Sequence, residues 1–105
     1  MMTLEGLLGQ VEGVAAEDVR RWIAARYVRP GGAPEAWVFG EMDVARVRLI
    51  VELRDVMEIS EPALPTVLSL LDQVYDLRRR MRRLNEGFAR LPAEMRAELA
   101  RFMME

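Results

Sequence analysis

Residues 34–50, PEAWVFGEMDVARVRLI, decide how the fold of this chain is interpreted. The run that ends at Phe39 is rich in residues that favour a β-strand, and it leads into apolar residues at helical spacing. Another β-prone run begins at Tyr27, and a centre rich in proline and glycine separates the two. We predict a β-hairpin over residues 27–39, with a loop longer than the tightest type, and then a helix over residues 41–57.

Two short helices are predicted before the hairpin. Thr3 is placed to cap a helix over residues 4–11, and Gly13 ends it. A second helix follows over residues 16–26, with Asp18 near its positive N-terminal end. The two helices and their glycine-containing turn are a candidate helix-turn-helix, and the hairpin is a candidate wing. The residues expected to be buried in these three helices are Leu4, Leu7, Leu8, Val11, Val19, Trp22, Ile23, Val44, Val47, Ile50, Val51, Leu53, Val56 and Met57.

A heptad pattern dominates the C-terminal part of the chain. Ser60 is placed to cap the helix that carries it, and Pro92 is expected to end that helix and leave a terminal helix over residues 92–104. Apolar residues in alternating steps of three and four form a seam that is typical of a coiled coil, so we expect a homodimer. We divide the chain into a winged helix-turn-helix-like domain, residues 1–60, and a helical region for dimerisation and partner binding, residues 61–105. The seam consists of Val67, Leu70, Val74, Leu77, Met81, Leu84, Phe88 and Leu91.

The composition excludes several kinds of active site. The chain has no cysteine and no histidine, which removes disulfides, thiol nucleophiles, imidazole bases and the ordinary zinc ligands. We therefore expect a protein that is not an enzyme and holds no metal or cofactor. The sequence has neither a signal-like N-terminal segment nor an apolar run of about 18 residues, so we expect a cytoplasmic protein with no membrane partner.

Charge is distributed unevenly along the chain. Residues 1–77 carry 13 acidic side chains and 7 arginines, a net charge of −6, whereas residues 78–105 carry 8 arginines and 4 acids, a net charge of +4. A domain that binds duplex DNA normally presents a basic face, because phosphate neutralisation supplies much of the affinity. The half that would touch DNA is acidic, which argues against nucleic acid as the partner. We interpret the arginine-rich run over residues 78–83 as the solvated flanks of the coil.

The order of these elements resembles a MerR-type winged helix followed by its dimerisation helix, over nearly the whole chain. Residues 13–30 are similar to the family's turn and recognition helix, and residues 37–50 are similar to its wing strand and the helix after it. The family's recognition-helix threonine corresponds to Asp18 and its wing arginine to Trp37, whereas Arg20 is retained. Both departures disfavour contact with phosphate. The resemblance implies a mainly α fold: a MerR-like winged helix-turn-helix with a short β-hairpin wing and a long C-terminal coiled-coil helix.

The CbpM family of chaperone modulators, which has this scaffold, is a better match. The family has a Trp-Val-Phe wing strand, then Asp, then an amphipathic helix that ends in Leu-Arg, and residues 67–84 resemble its apolar run and basic coil. Members bind the J-domain of a CbpA- or DnaJ-type co-chaperone and inhibit its stimulation of a DnaK-type chaperone. The resemblance implies this function here. The matching motif residues are Trp37, Val38, Phe39, Asp43, Leu53 and Arg54.

Acids set in an apolar surface would suit the basic helix through which a J-domain acts. On the long helix, three polar residues lie within about one turn of each other, beside apolar side chains. With the wing tryptophan, these are the candidate partner-binding residues: Asp72, Gln73, Asp76, Leu68, Leu71, Tyr75 and Trp37.

Alternatives remain open at each of these positions. The pair Asp72 and Asp76 is also consistent with a solvated helix face, and Trp37 with packing under the hairpin. A MerR-like DNA-binding transcription regulator is the alternative function, and its DNA contacts would be Arg20, Arg21, Arg26 and Arg29.

Overall fold

The computed structural model describes residues 1–104 and is mainly helical, with 69% helix, one long helix and a small two-stranded antiparallel sheet. A single 3-10 turn precedes the long helix. In chain order the elements are α1 (Leu4–Gln10), α2 (Ala16–Ala24), β1 (Gly31–Ala33), β2 (Ala36–Val38), α3 (Glu41–Asp55), the 3-10 turn (Glu61–Ala63), α4 (Leu64–Ala89) and α5 (Ala93–Met104).

The chain forms two compact units, Met1–Leu68 and the residues from Ser69 onward. The fully buried side chains of the described residues all lie in the first unit. Because the core combines residues from α1, α2, α3, the segments on either side of the hairpin and the start of α4, it fixes these elements against one another. The core consists of Leu7, Val11, Val19, Trp22, Val28, Phe39, Val44, Val47, Ile50, Leu53, Leu64 and Leu68.

The three helices of the first unit begin where side chains satisfy exposed backbone N–H groups. Thr3 Oγ1 accepts from the Gly6 N–H at 3.2 Å, which confirms Thr3 as the cap of α1. Asp18 accepts from the Ala15 N–H at 3.0 Å, and Asp43 accepts from the Gly40 N–H at 2.8 Å. In both α2 and α3 an aspartate in the first turn therefore stabilises the helix start.

Helices α2 and α3 end earlier than predicted, at Ala24 and Asp55 rather than at residues 26 and 57. Arg26 adopts a left-handed conformation with φ of 65°, and the Tyr27 N–H returns to the Trp22 carbonyl at 2.8 Å. A left-handed residue followed by a hydrogen bond back to the last turn is a common helix C-terminus, and it ends α2 here. The predicted burial of Val56 and Met57 was wrong, because both follow the end of α3 and are 74% and 61% exposed. Four other residues expected in the core are only half-buried: Leu4, Leu8, Ile23 and Val51.

The hairpin is tighter than predicted. Gly31 and Gly32, which we expected in the loop, belong to β1, and the pair Ala33–Ala36 leaves only Pro34 and Glu35 as the connection. Gly32 has a φ of 82°, and a Cβ added there would lie 2.5 Å from the Ala36 carbonyl oxygen. Glycine therefore lets the two strands approach closely, and a positive φ of 64° at Glu35 completes the turn.

The C-terminal helices follow the predicted pattern with two differences. Ser60 caps the 3-10 turn that precedes α4, but its side chain makes no capping hydrogen bond. Pro92 separates α4 from α5, as predicted, since α4 ends at Ala89. Leu91, assigned to the heptad seam, therefore lies beyond the end of α4.

Candidate functional site

Asp18 is a structural acid in the first unit. Besides capping α2, its carboxylate receives a hydrogen bond from Arg21 at 3.0 Å and pairs with Arg54 at 3.3 Å. Burial raises the pKa of Asp18, but the Ala15 N–H and the two guanidinium groups outweigh burial and leave that pKa below its usual value. The carboxylate thus stabilises the fold, and its charge is already balanced where the resemblance would have put a phosphate.

Arg54 links three parts of the first unit. Its guanidinium donates to the Gly13 carbonyl at 2.7 Å, contacts Asp18, and lies 5.5 Å from the ring centroid of Trp22. The hydrogen bond to Asp55 and then the one to Asp18 raise the pKa of Arg54. Arg54 therefore joins the end of α3 to the turn before α2. The sequence motif that contains Arg54 serves largely to stabilise the fold.

The two arginines in the middle of α2 are both paired with acids from other elements. Arg20 holds Glu35 of the hairpin turn through two hydrogen bonds of 3.0 and 3.2 Å. Arg21 donates to Glu61 of the 3-10 turn at 2.7 Å, and this bond, with the one to Asp18, raises the pKa of Arg21. Two of the four predicted DNA contacts therefore already have anionic partners.

The other two candidate DNA contacts lie just after α2. Arg26 and Arg29 are both exposed, and within residues 1–104 neither side chain has a hydrogen bond or ion pair. They are therefore available to an anionic partner, unlike Arg20 and Arg21.

Most of the wing motif is committed to the core. Phe39 is fully buried, and its backbone pairs with Met2 through two hydrogen bonds of 2.8 Å. Leu53 is buried and Asp43 caps α3. The apolar surface of the motif comes from the neighbours Trp37 and Val38: Trp37 is half-buried opposite Gly32, and Val38 is 39% exposed.

The polar residues predicted to bind a partner lie on an exposed stretch of α4. We call Asp72, Gln73, Tyr75 and Asp76 the acidic patch. Tyr75 is 47% exposed, Asp76 pairs with Arg80 at 3.1 Å, and Gln73 donates to Ser69 at 3.4 Å. Leu71 is half-buried beside the patch.

Leu68 does not belong to this surface. It is 2% exposed and lies in the core of the first unit. Its apolar side chain therefore stabilises that unit and is not accessible to a partner.

Most of the seam is exposed to solvent. Five of its side chains are large, apolar and between 41% and 66% exposed, whereas Val67, Phe88 and Leu91 are half-buried. At about 100° per residue, these five fall on one face of α4. They are Leu70, Val74, Leu77, Met81 and Leu84.

The acidic patch and the seam occupy different faces of α4. With 3.6 residues per turn, Asp72 lies nearly opposite the centre of the seam, and Asp76 lies beside Asp72. Arg80 lies on the same side as the two acids, which explains its ion pair with Asp76. A contact through the seam would thus leave both acids accessible.

One shallow groove lies between the end of α1 and α3. It has a volume of about 360 Å³, and Val11, Val51 and Val56 provide its apolar lining. The remaining lining residues are Gln10, Glu12, Arg48, Glu52 and Asp55. Arg48 closes one side by donating to the Gln10 carbonyl at 3.2 Å.

Sequence reasoning missed the acids that pair with α2. Glu35 and Glu61 are 15 and 40 residues away from Arg20 and Arg21, respectively. No spacing rule connects residues so far apart. The only available signal was the excess of acids before residue 77, which indicated that the arginines there have acidic neighbours.

Over residues 1–104, no acidic cluster is arranged to hold a metal ion, and no helix has the length and apolar character needed to cross a membrane. No protein-family model matches the sequence, and comparisons with curated proteins and with solved structures find no significant similarity either.

Proposed function

We propose that this protein is a non-enzymatic chaperone modulator of the CbpM type. It binds the J-domain of a CbpA- or DnaJ-type co-chaperone and thereby inhibits stimulation of a DnaK-type chaperone. The proposal rests on the residue resemblance around β2 and α3, and it includes a MerR-like winged helix-turn-helix arrangement for the first unit. The mainly helical fold with a two-stranded antiparallel sheet is consistent with that arrangement. It requires no cofactor.

The observation that carries the proposal is the exposed acidic patch on α4. Asp72 and Asp76 lie beside the exposed ring of Tyr75, so the surface offers negative charge and apolar area together. Complementary charge accelerates association with a basic helix, and a tyrosine that becomes buried in the interface supplies contact energy. Both are properties that a ligand for a basic J-domain helix needs.

The arginines of α2 support this choice over DNA binding. Carboxylates engage Arg20 and Arg21, and the residues up to Leu68 carry 11 acids against 7 arginines. Phosphate contacts would have to displace those carboxylates against the surrounding negative charge. A DNA-binding regulator is therefore the weaker candidate.

The proposed assembly is a homodimer through the seam. Five exposed apolar side chains on one face of a 26-residue helix are what a coiled-coil partner covers. Because Asp72 and Asp76 lie away from that face, each protomer of the dimer would keep its acidic patch available.

The test is a calorimetric titration with the isolated J-domain of the CbpA-type co-chaperone from the same organism. Wild-type protein should show saturable binding, and Asp72→Arg with Asp76→Arg should lose it. Glu94→Arg with Glu98→Arg on α5 is the matched control, because these exposed acids have the same spacing and the same change of charge.

Two outcomes would count against the proposal in different ways. Binding that survives Asp72→Arg with Asp76→Arg would move the site to the surface around Trp37. Absence of any binding, together with unchanged stimulation of the chaperone ATPase at saturating protein, would refute the function itself.

A further inference from the structure

Arginines are concentrated in one short stretch of the first unit. Four of the seven arginines up to Leu68 fall within residues 20–29. Such a cluster on a short helix and the segment after it is the usual composition of a surface that contacts phosphate groups. The first unit as a whole has more acidic residues than arginines, so its net charge does not reveal this local excess of arginine.

Acids from other elements contact both arginines inside α2. Two nitrogens of Arg20 donate to the two carboxylate oxygens of Glu35, at 3.0 and 3.2 Å. Guanidinium groups bind phosphate oxygens in the same bidentate manner. Arg21 contacts Glu61 at 2.7 Å. Neither acid is on α2: one comes from the hairpin turn and the other from the 3-10 turn.

We propose that Glu35 and Glu61 form an acid clamp that keeps a phosphate-binding surface on α2 closed. In this view the two carboxylates substitute for the phosphates of duplex DNA on Arg20 and Arg21. Arg26 and Arg29 alone supply too few contacts for tight binding. This inference concerns only the first unit and does not depend on binding of a J-domain.

The clamp consists of exposed ion pairs, and their exposure determines how much the affinity for DNA should rise when they are broken. The side chains of Arg20 and Glu35 are 45% and 63% exposed, and those of Arg21 and Glu61 are 50% and 40% exposed. Exposed pairs are individually weak, so opening both should strengthen DNA binding by roughly tenfold rather than by many orders of magnitude. Within residues 1–104 Arg20 has no acidic partner besides Glu35, so its release should add about one phosphate contact and steepen the salt dependence by about one. Arg21 keeps its hydrogen bond to Asp18 at 3.0 Å.

The test compares Glu35→Gln with Glu61→Gln against a control of equal charge change. Glu12→Gln with Glu52→Gln removes two exposed acids elsewhere in the first unit, so both double variants move the net charge from −2 to 0. Binding of a labelled duplex is followed by fluorescence anisotropy over a range of salt concentrations. The clamp variant should bind roughly tenfold more tightly than the wild type and the control, with a slope of log K against log salt steeper by about one.

Three results would overturn the proposal. One is no gain of binding in the clamp variant, and another is an equal gain in the control, which would show an effect of net charge alone. The third is a gain that persists when Arg20→Gln and Arg21→Gln are added to the clamp variant. If Glu61→Gln unfolds the protein, the single variant Glu35→Gln keeps the test valid, with an expected slope change of about one.

Discussion

The guanidinium of Arg54 on α3 lies over the indole ring of Trp22 on α2, 5.5 Å from the ring centroid. Trp22 is fully buried, and the side chain of Arg54 is 24% exposed, so the cation covers the edge of the core. The same guanidinium contacts Asp18 and the Gly13 carbonyl. One arginine therefore combines a cation–π contact, an ion pair and a backbone hydrogen bond, each of which joins α3 to the region of α2.

Arg54→Met should destabilise the first unit by about 1–3 kcal/mol, because it keeps an apolar stem but removes these contacts from Asp18 and Gly13. The measurement is urea unfolding at neutral pH. Arg48→Met is the matched control on the same helix, where only one hydrogen bond of 3.2 Å, to the Gln10 carbonyl, is lost. Equal losses in the two variants would contradict the role assigned to Arg54.

Asp18→Asn should lower stability in a manner that depends on pH. Since the pKa of Asp18 is lowered in the folded protein, its charge stabilises the fold above the unfolded-state pKa of about 4, and this stabilisation is lost as the pH falls through the lowered folded pKa. The free energy of unfolding of the wild type should exceed that of the variant by about 1 kcal/mol at pH 7, and this difference should become smaller at acidic pH. Unfolding curves at several pH values measure it. Glu17→Gln, in the same helical turn, is the matched control and should lower stability at pH 7 by less than Asp18→Asn.

Gly32→Ala should be strongly destabilising, whereas Gly9→Ala should be neutral or stabilising. At position 32 a Cβ would meet the Ala36 carbonyl oxygen at 2.5 Å and the φ is 82°, but at position 9, inside α1, nothing lies within 4 Å. We expect a loss of about 2 kcal/mol or more for the first variant and a gain of up to about 1 kcal/mol for the second. Thermal unfolding of both would check the prediction. A well-folded Gly32→Ala variant with wild-type stability would show that the strands do not approach so closely.

Helix positions and much of the core could be read from local pattern in the sequence. Thr3 as a cap, Pro92 as a break and the apolar spacing of α3 each act within one or two helical turns, which is the range that such rules cover. The errors occurred where tertiary packing decides. Gly31 and Gly32 were predicted to be loop residues, but both pair with the opposite strand and belong to the hairpin.

The candidate sites were less predictable for the same physical reason. The roles of Arg20 and Arg21 depend on Glu35 and Glu61, which only the folded chain brings near. Leu68 and Tyr75 share a helix, and whether each is buried depends on what packs against that helix. The heptad spacing identified the exposed face of α4 but could not show which molecule covers it.

Met81→Asp should abolish self-association, if the seam joins two copies of the chain. Met81 is 54% exposed at the middle of the apolar face, so an aspartate there would place a desolvated charge in each half of a paired coil. Arg79→Asp is the control, because this exposed residue lies on the opposite side of α4 and also becomes acidic. Sedimentation equilibrium should give a dimer for the wild type and for Arg79→Asp, and a monomer for Met81→Asp. A monomeric wild type, or a dimer in all three proteins, would exclude the seam as the dimer contact, and the exposed apolar face would then need another partner.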